Sequence, residues 1–166
     1  MSFSIRVYKQ YFNFAAAHFL IFPDGTREPL HGHNYRVSVR GEAQELKDDM
    51  VIDFLNIKPL VREICNTLDH KLILPQSHGY LERRDLEDHW MLEFPRSAYL
   101  VVPKAETLLL DIPNSSAECL ARYLCLELKQ AVRRTYGFTF KTLEVEVEET
   151  PGQSATYLLS GEGDPQ

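Results

Sequence analysis

The sequence predicts an α+β fold, with paired strands at both ends of the chain and two helices between them. Three observations carry this expectation. Residues 35–42 and 142–149 alternate apolar and polar side chains, two stretches carry apolar residues at helical spacing, and turn-forming residues fall at the joints.

Residues 5–17 read as the first strand and 35–42 as the second, where Tyr35, Val37 and Val39 alternate with Arg36, Ser38 and Arg40. Between them, the run from Phe22 to Pro29 has the proline and glycine content of a loop. Asp53 caps a helix over Phe54–Leu68, whose stripe is Leu55, Leu60, Val61, Ile64 and Leu68. Pro59 lies in its first turns and moves the expected start toward Lys58. A second helix covers Ala117–Tyr136, with Leu120, Leu124, Leu128 and Val132 four residues apart. The last strands are 142–149, where Leu143, Val145 and Val147 alternate with acidic residues, and 155–160. Residues 161–166 read as a frayed tail.

One domain spanning 1–166 is expected, with residues 75–112 inserted between the helices. The insertion holds a polar run from Glu82 to Asp88, then short apolar runs at 90–94 and 99–102. Pro95-Arg96-Ser97 between them marks a small hairpin. A connection this long is usually functional or an interface element, and the sequence does not choose between the two.

Composition excludes several function classes. The formal charge is −6 and no Lys/Arg block exceeds two residues, which disfavours nucleic-acid and membrane-surface binding. There is no apolar run approaching ~18 residues and no apolar segment after a basic start, so the chain is expected in the cytoplasm. Cys65, Cys119 and Cys125 fall at apolar-periodic helix positions and read as buried thiols, not a disulfide framework.

His18, His31 and His33 have the spacing of a metal site. On a strand, His31-Gly32-His33 places two imidazoles on one face, and a hairpin with the segment ending at His18 adds the third. Three neutral imidazoles without a fourth protein ligand describe a catalytic zinc site with an open position. Surface or core histidines would show the same spacing by chance, and spacing alone leaves both readings open. The other histidines, His70, His78 and His89, form no second cluster in sequence.

The words LHGHNY, MVIDF, LDH and EET, in that order after a leading FAAAH, resemble the 6-pyruvoyl-tetrahydropterin synthase / 6-carboxytetrahydropterin synthase family. Residues 11–72 and 113–159 follow the pattern and 75–112 do not. The resemblance implies the tunnelling fold (T-fold): an antiparallel sheet packed on two helices. It also implies a homo-oligomeric β-barrel, a trimer or a hexamer built as a dimer of trimers, with active sites at subunit interfaces. Barrel closure removes exposed sheet edges.

By the same resemblance His18, His31 and His33 become Zn2+ ligands, Asp69 and His70 an acid–base pair, and Glu149 the anchor for the pterin. A carboxylate beside an imidazole fixes its tautomer, although His70 also suits a helix C-terminus. A carboxylate also suits the paired donors of an amino-pyrimidine edge. Glu149 is out of phase with Glu144, Glu146 and Glu148, which read as one solvated face. Thr150 adjoins the anchor. Glu118 matches a substrate-binding glutamate, but Ser115 as N-cap and Glu118 three residues on also make a capping box.

The chain departs from the common pattern before the histidines. The family's usual cysteine positions hold Gly25 and Arg27, and residues 1–64 contain no cysteine. Instead Glu28-Pro29-Leu30-His31-Gly32-His33 resembles a variant class in which glutamate replaces the cysteine. That class is implied to cleave the side chain of 7,8-dihydroneopterin triphosphate, giving 6-hydroxymethyl-7,8-dihydropterin, a folate precursor. Glu28 is then the base, and Lys71, Arg83 and Arg84 are candidate triphosphate cations. Glu28 is also readable as a solvated loop acid. Three alternatives stay open: a 6-carboxy- or 6-pyruvoyl-tetrahydropterin synthase, a non-catalytic zinc- and pterin-binding protein, and an unrelated zinc hydrolase.

Overall fold

Alternation at the two ends of the sequence becomes antiparallel pairing in the computed structural model, which describes residues 2–160. Strand β1 (Phe3–His18) pairs with β2 (His31–Ala43) from Phe3 opposite Ala43 to His18 opposite His31. Helix α1 (Phe54–Leu68) follows, then β3 (Lys71–Pro75), β4 (Glu82–Leu86), β5 (His89–Phe94), β6 (Ser97–Pro103) and β7 (Thr107–Leu110). Helix α2 (Ala117–Tyr136) leads into the hairpin of β8 (Thr142–Thr150) and β9 (Gln153–Ser160). The main sheet runs β7-β3-β1-β2-β8-β9.

The expected antiparallel sheet is observed for β1, β2, β8 and β9, but β3 pairs parallel with β1 and β7 parallel with β3. These two strands were not legible as separate elements. Leu72-Ile73-Leu74 and Leu108-Leu109-Leu110 are continuous apolar runs, as strands covered on both faces are, and show no alternation.

Both helices start where a side chain takes an orphan amide. Asp53 Oδ1 accepts from the Leu55 N–H at 2.8 Å, and the helix runs from Phe54 straight through Pro59. The N-cap of α2 is Ser116, accepting from Cys119 N–H, and not Ser115. Glu118 is therefore the second helical residue and completes no capping box. The helices bury Ile57, Val61, Leu68, Leu120, Leu124 and Leu128 with Phe14, Tyr35, Val37 and Val145 of the sheet.

The insertion begins at the end of β3 and contributes β7 to the main sheet, while its β4-β5-β6 form a second, three-stranded sheet. Its expected hairpin is β5–β6. The polar run also forms a strand, β4, at the edge of this sheet, where charge discourages pairing with another chain. A small core of Phe19, Ile21, Leu72, Leu74, Leu92, Phe94 and Val102 joins this lobe to the segment just after β1. Among the described residues no helix is long and apolar enough to cross a membrane. The tail at 161–166 lies outside the described residues.

Candidate metal centre

The β1–β2 register brings the three histidines together. His18 opposes His31, His33 opposes Ala16, and the ring centroids of the trio stand 4.7, 5.2 and 4.9 Å apart. One nitrogen from each ring lies within 4.8 Å of the other two. Gly32 permits this approach: a Cβ there would sit 2.9 Å from the Ala16 carbonyl oxygen.

Backbone carbonyls fix the rings. His18 Nδ1 lies 2.8 Å from Ser115 O, and His31 Nδ1 lies 2.8 Å from Pro29 O. A carbonyl only accepts, so each Nδ1 carries the proton and each Nε2 keeps its lone pair. Burial depresses the pKa of His18 against the opposing pull of the Ser115 bond and Glu149, with His31 and His33 adding to the depression. His18 Nε2 is buried without a hydrogen-bond partner, and its charged neighbour is Glu149 Oε1 at 3.2 Å. A buried lone pair with no donor to meet it is left for a cation. The residues present therefore fit a metal ion, and the imidazole set suits a borderline cation.

Glu149 also stands 3.6 Å from His33 Nε2 and accepts the Tyr35 hydroxyl at 3.2 Å. The β8–β9 register slips between Glu148 and Thr150, which leaves Glu149 out of the ladder and free to turn to the histidines. Tyr35 stacks on Phe14 at 4.8 Å, and burial followed by the Glu149 charge pushes its phenol far up. Glu144, Glu146 and Glu148 do lie out of phase with Glu149, but the face is braced by partners, not merely solvated. Glu146 accepts from Ser38 and Ser154 at 2.8 Å each, and its carboxyl is held below the usual range by Ser154 first and Ser38 second.

Glu28 lies on the return arm of a short hairpin after His18. Its N–H donates to Leu20 O at 2.9 Å, and its Oε2 accepts the Leu20 N–H at 3.0 Å. The next residue, Pro29, supplies the carbonyl that holds His31. Glu28 stands close enough to Tyr35 for its charge to help raise the phenol.

Asp69 and His70 are paired, with Oδ2 3.0 Å from Nδ1. Asp69 Oδ1 accepts the Ala15 N–H at 2.7 Å, and this bond first, then His70, holds its carboxyl below the usual range. His70 is exposed with φ +59°, a left-handed conformation uncommon outside glycine. It touches none of the trio directly, but His70 and His33 line one cleft of about 630 Å³, together with Leu30, Asn34, Lys71 and Thr107. Lys71 donates to Ala105 O there. Arg84 pairs with Glu93 and Arg83 lies over Trp90, both within the β4–β5–β6 lobe. Glu118 is exposed, and among the described residues no hydrogen bond or ion pair reaches it. Thr150 donates to Gln153 across the β8–β9 turn. Cys65 and Cys125 are buried, and burial pushes both thiols up to about 12.

Three residues of the site carry no sequence signal of their role. Ser115 is fully buried, giving its carbonyl to His18 and its hydroxyl to Phe19 O at 2.8 Å. Asn114 pairs with Ile21 in both directions. Tyr35 was legible only as a core position of β2.

Fold and site together define an α+β enzyme scaffold with a three-histidine centre at the mouth of a strand pair. The sequence model of the 6-pyruvoyl tetrahydropterin synthase family matches residues 6–159, and the chain belongs to that family of lyase-type enzymes. A Methanocaldococcus jannaschii relative, provisionally named a 6-carboxy-5,6,7,8-tetrahydropterin synthase, is 36% identical over 87% of this chain and 88% of its own length. A Haemophilus influenzae 6-carboxy-5,6,7,8-tetrahydropterin synthase is 32% identical over 71% of this chain and 78% of its own. The solved 6-pyruvoyl tetrahydropterin synthase of Plasmodium vivax superposes with a TM-score of 0.89 at 32% identity, over 96% of this chain and 99% of that one. A variant of the Plasmodium enzyme, with a glutamate described as a catalytic residue replaced by alanine, superposes at 0.88 with 31% identity over the same shares.

Proposed function

We propose that this chain is a zinc-dependent lyase acting on 7,8-dihydroneopterin triphosphate, with Glu28 as the base and 6-hydroxymethyl-7,8-dihydropterin as the product. The observation that carries the reading is Glu28 next to Pro29, whose carbonyl holds His31, and near enough for its charge to act on Tyr35, in a chain whose residues 1–64 supply no thiol. A catalytic glutamate in the similar Plasmodium enzyme supports it.

Zinc on His18, His31 and His33 would polarise the side-chain hydroxyl oxygens of the substrate. Glu149, turned toward the trio and steadied by Tyr35, receives the paired N–H donors of the pterin. Glu28 takes the C2′ hydroxyl proton as the C1′–C2′ bond breaks. The bond's electrons pass to C1′ and the pterin ring, C2′ leaves as an aldehyde bearing the triphosphate, and C1′ gains a proton. Asp69 and His70 serve that protonation, from this chain or from a neighbouring copy across a trimer or hexamer interface. The exposed pair at the cleft edge suits a shared site. Thr150 and Glu118 remain candidates for the outer wall of the pterin pocket, and Lys71 for the triphosphate.

The names of the curated relatives favour a second reading, a 6-carboxytetrahydropterin synthase that works without a thiol. One incubation separates the two. Zinc-loaded protein is given 7,8-dihydroneopterin triphosphate, and the pterin product is identified by chromatography and mass. The proposal expects 6-hydroxymethyl-7,8-dihydropterin, lost in Glu28→Ala and kept when each cysteine is changed to alanine. A 6-carboxy product refutes the reaction, and a fully active Glu28→Ala refutes the base.

A further inference from the structure

The lobe formed by β4, β5 and β6 grips the loop that carries Glu28, and the grip passes through one side chain. We propose that Arg27 is a positioning residue for Glu28 and that the 75–112 insertion exists in part to hold it. The inference rests on the reading of Glu28 as the base.

Residues 19–28 form a hairpin closed by Glu28 N–H to Leu20 O at 2.9 Å and Phe22 N–H to Thr26 O at 2.8 Å. A two-stranded hairpin of this size does not hold its shape alone in water. One wall comes from the segment before α2. Asn114 bonds both backbone groups of Ile21, at 3.2 and 2.9 Å, and Ser115 bonds Phe19 O. The other wall is the lobe. Phe19 and Ile21 are buried among Leu92, Phe94 and Val102, and the Arg27 N–H donates to Ser97 Oγ at 3.1 Å.

The Arg27 side chain then closes the clamp. Its guanidinium lies 5.4 Å from the Phe19 ring centroid and 5.1 Å from that of Phe94. Nη2 donates to Ala98 O at 3.2 Å, across to the lobe, and Nη1 donates to the carbonyl of Glu28 itself at 2.8 Å. A planar fork that spans two carbonyls and stacks on aromatic faces is arginine chemistry, which an ammonium does not reproduce. At the hairpin tip, the Gly25 position packs on Pro95, where a Cβ would meet the ring at 3.4 Å. The β5–β6 turn thus touches the Glu28 loop by apolar contact, by hydrogen bonds and through one cation between two rings.

Proton abstraction needs the base within hydrogen-bond reach of its proton, and ~1 Å of misplacement costs about 100-fold in rate. Loosening Arg27 should therefore act on kcat and leave substrate affinity and metal content alone. The experiment compares Arg27→Met, which keeps an apolar stem between the rings, with Ser97→Ala, each alone and in a Glu28→Ala background. In zinc-loaded protein turning over 7,8-dihydroneopterin triphosphate, Arg27→Met is expected to lower kcat by about 10- to 100-fold. KM should stay within about twofold, with metal per chain unchanged. Against Glu28→Ala it should cost nothing more. An unchanged kcat, or an equal loss with and without Glu28, overturns the proposal. Should Arg27→Met fail to fold, Ser97→Ala decides: a severalfold lower kcat at unchanged KM supports the clamp, and an unchanged kcat overturns it. A fully active Glu28→Ala instead defeats the base assignment. An inactive Glu28→Ala beside fully active Arg27→Met and Ser97→Ala defeats this inference alone.

Discussion

Replacing Gly32 with alanine tests whether the spacing of β1 and β2 sets the metal centre. The added Cβ would lie 2.9 Å from Ala16 O and 3.5 Å from Ala17 Cα. Ordinary contact begins near 3.4 Å, so the strands must part by about 0.5 Å. The obstacle is backbone and has no rotamer to move into. The overlap falls between the Ala16–His33 and His18–His31 pairs, so the displacement reaches the ligands undiluted. Metal–ligand distances tolerate about 0.2 Å, and overpacking of this kind costs about 1–3 kcal/mol. The expected result is zinc affinity lowered about 10- to 100-fold, with a metal-free melting temperature several degrees lower. Competition against a chromophoric chelator measures the first and a thermal scan the second. Gly41→Ala is the control: its Cβ would collide with the Phe140 ring, far from the histidines in the register. It should lower the melting temperature and leave zinc affinity alone. A Gly32→Ala protein that binds zinc within about twofold of the parent refutes the reasoning.

Three further outcomes follow from the same geometry. Ser115→Ala leaves the Phe19 carbonyl buried and unpaired, so unfolding in urea should show a loss of about 1–3 kcal/mol, while zinc affinity holds because the Ser115 carbonyl that supports His18 is backbone and survives the change. Asp69 has a depressed carboxyl pKa, so its contribution to stability is full above the unfolded value of about 3.9 and is lost as pH falls through the lower folded value. The stability gap between the parent and Asp69→Asn should therefore narrow on acidification below about pH 4; a gap independent of pH there refutes the assignment. Cys65 and Cys125 are buried with raised thiols and Cys119 is half-buried on α2, so a cysteine-free variant should keep turnover; loss of turnover in the folded cysteine-free variant would show a thiol in the chemistry.

Much of the fold was legible because two periods, one near four residues and one of two, were written cleanly. Both helices span the stretches their stripes mark, Phe54–Leu68 and Ala117–Tyr136, although the cap of α2 is Ser116 and not Ser115. Pro59 misdirects only the start of α1, where the burial of Ile57, Val61, Cys65 and Leu68 outweighs the backbone bond the proline removes. Strands β3 and β7 escaped notice because a short continuous apolar run carries neither period. The histidine trio was legible from strand geometry once β1 and β2 were paired. Ser115 was misread for a definite reason. Ser115 and Ser116 are equal as caps in sequence, and only the fold shows that the first is taken by His18 and Phe19, 97 and 96 positions away. Arg27 beside Glu28 looks like ordinary surface charge until Phe19 and Phe94 close around it.

The centre owes its order to where β1 ends. Ala16 belongs to the large core under the helices, Phe19 belongs to the small core of the lobe, and His18 lies between them. A ligand clamped from both sides has little freedom to swing, which accounts for a buried ring nitrogen kept without a hydrogen-bond partner. The chain then turns through the lobe's contacts and returns as Glu28 and Pro29, so the carboxylate and the carbonyl that orients His31 are neighbours on one arm. Candidate metal ligands, the carbonyl that orients one of them and the candidate base are thus placed in correlation by the hairpin and the β1–β2 ladder together. Chemistry that polarises an oxygen and removes its proton on one substrate side chain requires that correlation. A substitution in the lobe that loosens the hairpin should therefore disturb base placement before metal content, because the histidines keep their hold through the β1–β2 ladder while Glu28 has only Leu20 and the Arg27 clamp.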